Sequence, residues 1–467
     1  MPGQPDLHKQ GNLLIVALYR RFTASSEGRR ALTRLLNATT RGAATGFCLR
    51  GGLHLTSLLF SLLNAARRRR KARLQSLQGM LKESLRYTAF LGSFAGVYVA
   101  VDEGIAALFG KQRSSDWRAF VAGAAAGPSI LLTGPKARHH SLALYVLLRG
   151  VTLLVRCGNK PDAPPAVRAL LTPTRSRHGD TGLMLMCMCT CQLAYSWILK
   201  PQTLPPSFVH FLNHHGGHEL WYYKAARELA HRHWHGLPPE PLAALVGTEN
   251  EGLVAEHPCD WAHPGVGCNE NALRFLPAAY LRALPVYLPV YLLSGLLVHR
   301  RALFAAGAPE IWAKVLKGAA RSSAFLAVYC TLCWRGACFG FQATSSCAPP
   351  VIAGSAWLGG LATLLEKKSR RMELALYCTS HAIMSFALCL VEWGVVREWH
   401  VPDRLDVVMF AAAAASIMHC YSDGNGRHRD VFRSKYLNYL DFVLGSEGHE
   451  AGAIVHVPST RDLLATG

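Results

Sequence analysis

Four side chains that commonly bind metal ions lie close together near the middle of the chain. They are His257, Cys259, His263 and Cys268, in the stretch HPCDWAHPGVGC. Two thiolates and two imidazoles form a tetrahedral set that suits Zn²⁺, although the spacing H-x-C-x3-H-x4-C matches no standard zinc finger. A disulfide between Cys259 and Cys268, or thiols without a ligand, are the alternatives. Zinc is therefore the one cofactor that the sequence suggests.

Three charged residues lie inside long apolar runs. Asp102 and Glu103 fall in the second half of one run, and Arg335 lies at a near-equivalent place in a later run. Ionisable groups at membrane depth are costly and usually face a bundle interior or a watery cavity. They indicate a polar path or a contact with a substrate headgroup, with a structural ion pair as the alternative. We expect Asp102 and Arg335 to approach each other where the two halves of the chain meet.

Motifs typical of enzymes do not occur. The sequence contains no nucleophile elbow, phosphate-binding glycine loop, H-E-x-x-H or nucleotide fingerprint. The histidines between His210 and His235 show no consistent ligand spacing and are interpreted as a solvated helix face. We therefore expect a protein that is not an enzyme.

The composition is that of a membrane protein. The chain has 467 residues, of which 50% are hydrophobic and 17% charged, and its mean hydropathy is +0.15. A soluble protein usually has about 25% charged residues. The apolar residues form runs long enough for membrane helices, and most of the net charge of +21 lies in short basic clusters between them. Such clusters touch anionic lipid, so membrane lipids rather than nucleic acid are the expected partners.

The second half of the chain repeats the pattern of the first. VAGAAAGPSILLTGPKARHHSLALY, residues 121–145, recurs as IAGSAWLGGLATLLEKKSRRMELALY, residues 352–377. In both copies an apolar run ends in a basic cluster, and L-A-L-Y opens the next run. Flanking segments also correspond at a separation of about 230 residues, and HGDTGLMLM around Asp180 pairs loosely with RLDVVMF around Asp406. We interpret this pattern as an internal duplication.

The expected fold is all-α: a polytopic membrane protein with two homologous four-helix bundles and about 8–10 membrane helices. The helices of the first bundle are expected near 87–109, 118–135, 141–157 and 180–199, and those of the second near 324–341, 350–365, 373–391 and 406–420. The expected domains are a basic N-terminal arm (1–42), a first membrane repeat (43–212), a polar linker with His-rich and Cys-rich segments (213–278), a second membrane repeat (279–445) and a C-terminal tail (446–467).

Small residues recur where the helices of each bundle would touch, because G-x-x-x-G spacing lets helix backbones approach closely. The glycines concerned are Gly92, Gly96, Gly123, Gly127, Gly336, Gly340, Gly354 and Gly359. The basic clusters comprise Arg67, Arg68, Arg69, Arg70, Lys136, Arg138, Lys367, Lys368, Arg370 and Arg371. The positive-inside rule favours an arrangement with all of these clusters on one side of the membrane, whereas an inverted repeat would divide them between both sides.

The first 42 residues are rich in Arg, Ser and Thr and poor in acidic residues. This composition is typical of a mitochondrial transit peptide or an amphipathic helix at the membrane surface, and a disordered basic arm is the alternative.

Several motifs resemble the transmembrane protein 135 family. CDWAHPGVGC followed by LRFLPAAYLRALPVYLPVYLL resembles its cysteine-rich segment and the following apolar run. LLEKKSRRMELALYCTSHAIMSFAL resembles its basic signature between two helices, and FLGSFAGVY and KPQTLPPSF are similar to its other half. The likeness covers roughly residues 85–215 and 255–445. The cysteine-rich segment lies mid-chain here, whereas the family carries it near the start.

This resemblance implies an organellar multi-span protein, distantly similar to the channel subunits of mitochondrial inner-membrane translocases. It implies a mitochondrial or peroxisomal membrane, lipid and fatty-acid homeostasis, and organelle dynamics. Two functions remain open. The first is a transporter or channel-like conduit for a lipid or small organic anion. The second is a non-transporting membrane scaffold that recruits protein partners at the organelle surface through its basic loops.

Overall fold

A computed structural model describes residues 25–68, 77–134, 136–171, 180–299, 308–397, 403–422 and 428–445. These residues form helices joined by turns, and no strand occurs among them, so the expected all-α class is confirmed. Arg69, Arg70, most of the N-terminal arm and the tail 446–467 lie outside the described residues.

The α-helices follow one another along the chain as follows: α1 (Ser26–Arg68), α2 (Leu77–Phe109), α3 (Arg118–Ala126), α4 (Lys136–Gly158), α5 (Pro165–Leu171), α6 (Thr181–Leu199), α7 (Pro206–Gly216), α8 (Leu220–His235), α9 (Cys259–Ala262), α10 (Cys268–His299), α11 (Ala308–Thr344), α12 (Pro349–Ser355), α13 (Trp357–Gly360), α14 (Lys368–Glu392), α15 (Leu405–Ser422) and α16 (Ser434–Leu444). Short 3-10 helices extend α3 (Gly127–Thr133) and α13 (Leu361–Leu365).

Seven of the described helices are long and apolar enough to cross a membrane: α2, α4, α6, α10, α11, α14 and α15. The chain is therefore an integral membrane protein. In α10 the helix continues through Pro277, Pro285 and Pro289, which membrane helices tolerate because neighbouring groups satisfy the freed backbone carbonyls.

Two shorter apolar segments, residues 118–133 and 349–365, combine α-helix with 3-10 helix. A 3-10 helix rises about 2.0 Å per residue against 1.5 Å in an α-helix, so each segment reaches about 28 Å. This length is close to the hydrocarbon thickness of about 30 Å. Each short segment therefore spans nearly as far as a longer α-helix.

The helices form two compact units. The first unit contains Met1–Leu55, Arg73–Leu171 and Asp403–Gly467, and the second contains Thr56–Ala72 and Thr172–Pro402. Neither unit is a continuous half of the sequence, because α15 belongs to the first unit and α6 to the second. The prediction placed 180–199 in the first bundle and 406–420 in the second. It is corrected, because each of these two helices belongs to the other unit.

Close approaches between helix backbones explain why α15 packs in the first unit and α6 in the second. In the first unit, a Cβ atom on Gly123 would lie 2.8 Å from the carbonyl oxygen of Ala414, and one on Gly127 would lie 2.5 Å from the Cβ of Ala411. Both alanines belong to α15. In the second unit, a Cβ on Gly360 would lie 2.5 Å from the Cα of Cys187 in α6. Van der Waals packing of small residues therefore holds α6 and α15 in place.

The other predicted glycines lie mostly at contacts between neighbouring helices. Gly92 and Gly96 of α2 face Ala43 and Thr39 of α1; Gly336 and Gly340 of α11 face Ser355 of α12; and Gly359 faces Cys333 of α11. The exception is Gly354, where an added Cβ would meet no atom within 4 Å. Its predicted packing role is corrected, since Ser355 makes the contact with α11.

The expected linker 213–278 is folded into the second unit. In α8, Tyr222, Ala226 and Leu229 repeat at helical spacing, and all three are buried in one hydrophobic cluster. Trp261 and Phe341 belong to the same cluster, so the segment packs on α11. This segment is therefore part of a core, and its prediction as a polar linker is corrected.

Candidate metal centre and apolar cavity

Four ligand side chains converge in the second unit. They are Cys259 in α9, His263 just after it, Cys268 at the start of α10 and Cys338 in α11. One ligand atom from each lies within 4.8 Å of all the others. This Cys–His cluster joins two membrane helices to the segment before them, and it could hold a metal ion.

The sulfur separations match those of a tetrahedral zinc site. Cys259 Sγ lies 3.9 Å from Cys268 Sγ and 3.6 Å from Cys338 Sγ. Sulfur atoms bound about 2.3 Å from a tetrahedral zinc ion lie about 3.8 Å from one another. The hydrogen bond to Cys338, together with burial, raises the pKa of the Cys259 thiol, and a bound divalent cation would oppose this by stabilising the thiolate.

The histidine of the cluster is oriented for metal binding. His263 Nδ1 lies 2.7 Å from the carbonyl oxygen of Val266, so this nitrogen donates and carries the proton. Nε2 is then the lone-pair nitrogen, and it is buried without a hydrogen-bond partner. Metal-binding histidines commonly use this arrangement, with the second nitrogen donating to a carbonyl or carboxylate.

One of the predicted ligands is replaced. His257 is about half exposed, and its Nδ1 lies 3.0 Å from Asp260 Oδ1, so it faces away from the cluster. Cys338 takes the fourth place. No sequence signal marks Cys338, because a cysteine inside an apolar run resembles any other small apolar residue. Only the packing of α11 brings it to the loop.

Arg335 lies beside the cluster and lines the same small cavity, whose volume is about 70 Å³. Its Nε donates to Asn269 Oδ1 at 2.7 Å, and its Nη1 is buried without a hydrogen-bond partner. Gln342 Nε2 approaches Cys268 Sγ at 3.4 Å. A site with three thiolates and one imidazole bound to Zn²⁺ carries one net negative charge, which a neighbouring guanidinium would compensate.

Asp102 and Glu103 belong to a different site, in the first unit. Asp102 Oδ2 lies 3.2 Å from Arg34 Nη1, and its Oδ1 lies 3.0 Å from Arg118 Nε. Glu103 Oε1 accepts from Arg34 at 2.5 Å. The predicted pairing of Asp102 with Arg335 is therefore corrected, because residues outside the apolar runs supply the partner cations. The geometry is that of a structural ion pair, which was the alternative interpretation.

The basic cluster before α14 is divided between solvent and packing contacts. Lys367 and Lys368 are exposed. Arg371 donates to Asp180 at 2.6 Å and to the carbonyl oxygen of Leu364 at 2.8 Å. Arg370 donates to Ser322 Oγ at 2.8 Å. These two arginines therefore fasten neighbouring helices together. The corresponding Lys136 and Arg138 lie in α4, and Arg67 and Arg68 lie at the end of α1.

A larger apolar cavity lies within the second unit and has a volume of about 130 Å³. Its walls come from α6, α7, α10, α11 and α14. Apolar side chains form most of the lining, among them Met186, Leu193, Phe208, Phe325, Leu326 and Leu374. Trp197 and Trp334 line both this cavity and the smaller one beside the Cys–His cluster. No sequence motif marks the cavity, since its lining is drawn from five helices.

These features define the class of protein: an all-helical integral membrane protein with a candidate metal centre and an internal apolar cavity. Comparison with protein-family models, with curated proteins and with solved structures finds no match. The cavity and the Cys–His cluster are therefore the features from which we infer a function.

Proposed function

We propose that this membrane protein is a conduit for a lipid or another amphipathic molecule, whose apolar part occupies the cavity of the second unit. The observation that carries the proposal is the apolar cavity of about 130 Å³. A cavity of about 150 Å³ lined by Leu, Ile and Phe in another protein binds benzene. The cavity of the second unit is therefore large enough for several carbon atoms of an alkyl chain.

The position of the cavity supports this function. Four of its five walls are candidate membrane spans, and α7 is the one wall outside the candidate spans. Phe208, Phe211 and Leu212 of α7 cover one side of the cavity. An alkyl chain could therefore enter where the membrane helices meet the short helix α7, without passing through water.

Transport by reconstituted protein tests the proposal. We expect vesicles that contain the protein to move a fluorescent single-chain lipid across the bilayer faster than protein-free vesicles. Leu374→Trp fills the cavity and should slow this movement roughly tenfold, because overpacking excludes the chain. Leu388→Trp is the matched control, since Leu388 lies on the same helix and is 45% exposed. A rate equal to that of protein-free vesicles would contradict the proposal.

The scaffold function is the second candidate, and exposed apolar residues outside the spans favour it. Leu220, Trp234 and Val246 are each more than half exposed, in a segment that the candidate spans do not include. A scaffold would recruit a protein partner through such residues. The vesicle assay separates the two functions, because a scaffold moves no lipid.

We also propose that the Cys–His cluster binds one zinc ion as a structural site. Three thiolates and one imidazole suit Zn²⁺ better than a hard cation. Purified protein should contain about one equivalent of zinc, and Cys338→Ser should remove most of it. His257→Ala and Cys330→Ser should retain it, because these residues lie outside the cluster. Loss of zinc in His257→Ala, or its retention in Cys338→Ser, would contradict this ligand set.

The cellular setting and the origin of the fold are further proposals. The Arg-rich, acid-poor residues 1–42 support a mitochondrial membrane, and the family resemblance adds the peroxisome. Fractionation of cells that express the tagged chain tests both. An internal duplication is supported by the same order of elements in both units: long helices, a short helix that ends in 3-10 geometry, and a further long helix.

A further inference from the structure

The second unit holds a guanidinium group without a counter-charge among the described residues, close to a turn that forms part of the wall of the apolar cavity. Arg282 belongs to α10, and its Nε and Nη2 atoms are buried without hydrogen-bond partners. Its guanidinium carbon lies 4.9 Å from the centre of the Phe275 ring. Among the described residues, no carboxylate lies within ion-pair distance of this side chain.

Backbone geometry places this group next to the cavity wall. A Cβ atom on Gly217 would lie 2.6 Å from Arg282 Cζ, so only a glycine allows the guanidinium to approach the α7–α8 turn so closely. The preceding residues of the same turn, His215 and Gly216, line the cavity. His215 Nδ1 is also buried without a hydrogen-bond partner. A cation therefore lies against the turn that carries His215, and the ring of His215 lines the apolar cavity.

The Arg282 side chain is partly buried. A charge that is partly buried without a partner is costly, and its cost falls when an anion pairs with it. A guanidinium presents a planar fork of N–H donors that suits carboxylate and phosphate oxygens. A free inorganic anion would pair with the charge of Arg282 but leave the apolar cavity empty. A neutral alkyl chain would fill the cavity but leave the charge unpaired.

We propose that the cavity of the second unit is a binding site for a single-chain anionic amphiphile, with its head on Arg282 and its alkyl tail among the apolar side chains. The head is a carboxylate or a phosphate ester. This inference rests on the proposed function, since the cavity must accept an alkyl tail. It adds the charge of the head, which the cavity alone does not specify.

Equilibrium binding to the full chain in nanodiscs tests the site, with empty nanodiscs subtracted. The probes are radiolabelled decanoate, decyl phosphate and decanol, with acetate as a head without a tail. We expect decanoate and decyl phosphate to bind at least about tenfold more tightly than decanol, because only the two anions accept a charge-assisted hydrogen bond from the guanidinium. The tighter of the two anions identifies the head. Acetate should not bind measurably.

Arg282→Gln should weaken the binding of both anions roughly tenfold and change that of decanol less than about twofold. Arg274→Gln is the matched control, since Arg274 lies on the same helix, is largely exposed and pairs with Glu270; it should change nothing. Arg282→Lys keeps the charge and should retain most of the preference for anions. If Arg282→Gln does not fold, the comparison of the four probes on the unaltered chain still decides the question.

The outcomes separate the two proposals. Equal affinity for decanol and both anions overturns the anion site and leaves the conduit in place. Unchanged anion affinity in Arg282→Gln likewise assigns the head to another group and overturns this inference. Absence of binding by all three alkyl probes overturns both proposals.

Discussion

His215 is held neutral inside the second unit, and this makes the stability of the unit depend on pH. Burial, followed by the neighbouring His214 and the charge of Arg282, lowers the pKa of His215 to about 4. Burial and Arg282 lower the pKa of His218 to about 4 as well. A histidine in an unfolded chain has a pKa of about 6.5. Between these values the unfolded chain binds more protons than the folded protein, so stability must fall as the pH drops.

We therefore expect the unfolding temperature to decrease as the pH falls from about 6.5 towards 4. His215→Gln cannot take up this proton and should make the decrease smaller. His210→Gln is the control, because His210 lies on the same helix and is exposed. All three proteins keep the same Cys–His cluster, so its own response to pH cancels. Equal pH dependence in all three would show that His215 has the same pKa in the folded and the unfolded chain and would contradict this account.

At the level of elements, one acidic residue fixes the start of α6. Asp180 Oδ1 accepts hydrogen bonds from the backbone N–H groups of Gly182 at 3.1 Å and Leu183 at 3.3 Å, which is helix N-capping. Its Oδ2 accepts from Arg371 at 2.6 Å. In the first unit, Asp406 in the first turn of α15 lies 3.2 Å from His139 of α4. The N-terminal end of α6 is therefore bound to α14, and that of α15 to α4. Both α14 and α4 directly follow one of the two short apolar segments.

Substitutions at Asp180 separate the cap from the ion pair. Asp180→Asn keeps a good N-cap acceptor and loses the charge, whereas Asp180→Ala loses both. We expect Asp180→Ala to lower the free energy of unfolding by about 1–3 kcal/mol, and Asp180→Asn to lower it less. Asp430→Asn is a control at a 68% exposed partner of Lys160. Chemical denaturation monitored by tryptophan fluorescence measures all three. A larger loss in Asp180→Asn than in Asp180→Ala would contradict this account.

The sequence predicts where the helices lie along the chain better than which helices pack together. Apolar runs and basic clusters gave the all-α class and most membrane helices, because hydropathy is a local property. The partners of α6 and α15 depend on which small residues fit together, such as Gly127 against Ala411 and Gly360 against Cys187. Cys338 was missed for the same reason: its contact with Cys259 is made by packing and not by spacing. The other three residues of the cluster, Cys259, His263 and Cys268, were predicted correctly, because they lie within ten residues of one another in the sequence.

At the scale of the whole molecule, each half of the sequence contributes one helix to the unit formed mainly by the other half, α6 to the second unit and α15 to the first. This exchange of helices predicts an unusual effect of truncation. A chain that ends at Pro402 lacks α15 and α16, which belong to the first unit. Without α15, Gly123 and Gly127 lose their packing partners, and His139 loses Asp406. The damage should therefore fall on residues 77–171, which lie far away in sequence. In two contiguous bundles, the same truncation would instead damage the second half of the chain.

Limited proteolysis with mapping of the cleavage sites distinguishes these arrangements. We expect the truncated chain to be cleaved much faster within residues 77–171, while the second unit keeps its resistance, its zinc and its binding of decanol. Removal of 446–467 alone is the control, since that deletion leaves both helices in place. Co-expression of 403–467 as a separate segment should restore protection, because α15 is apolar enough to cross a membrane and packs against α3 and α4. Faster cleavage confined to 268–392 would show that α15 stabilises the second unit and would refute the exchange.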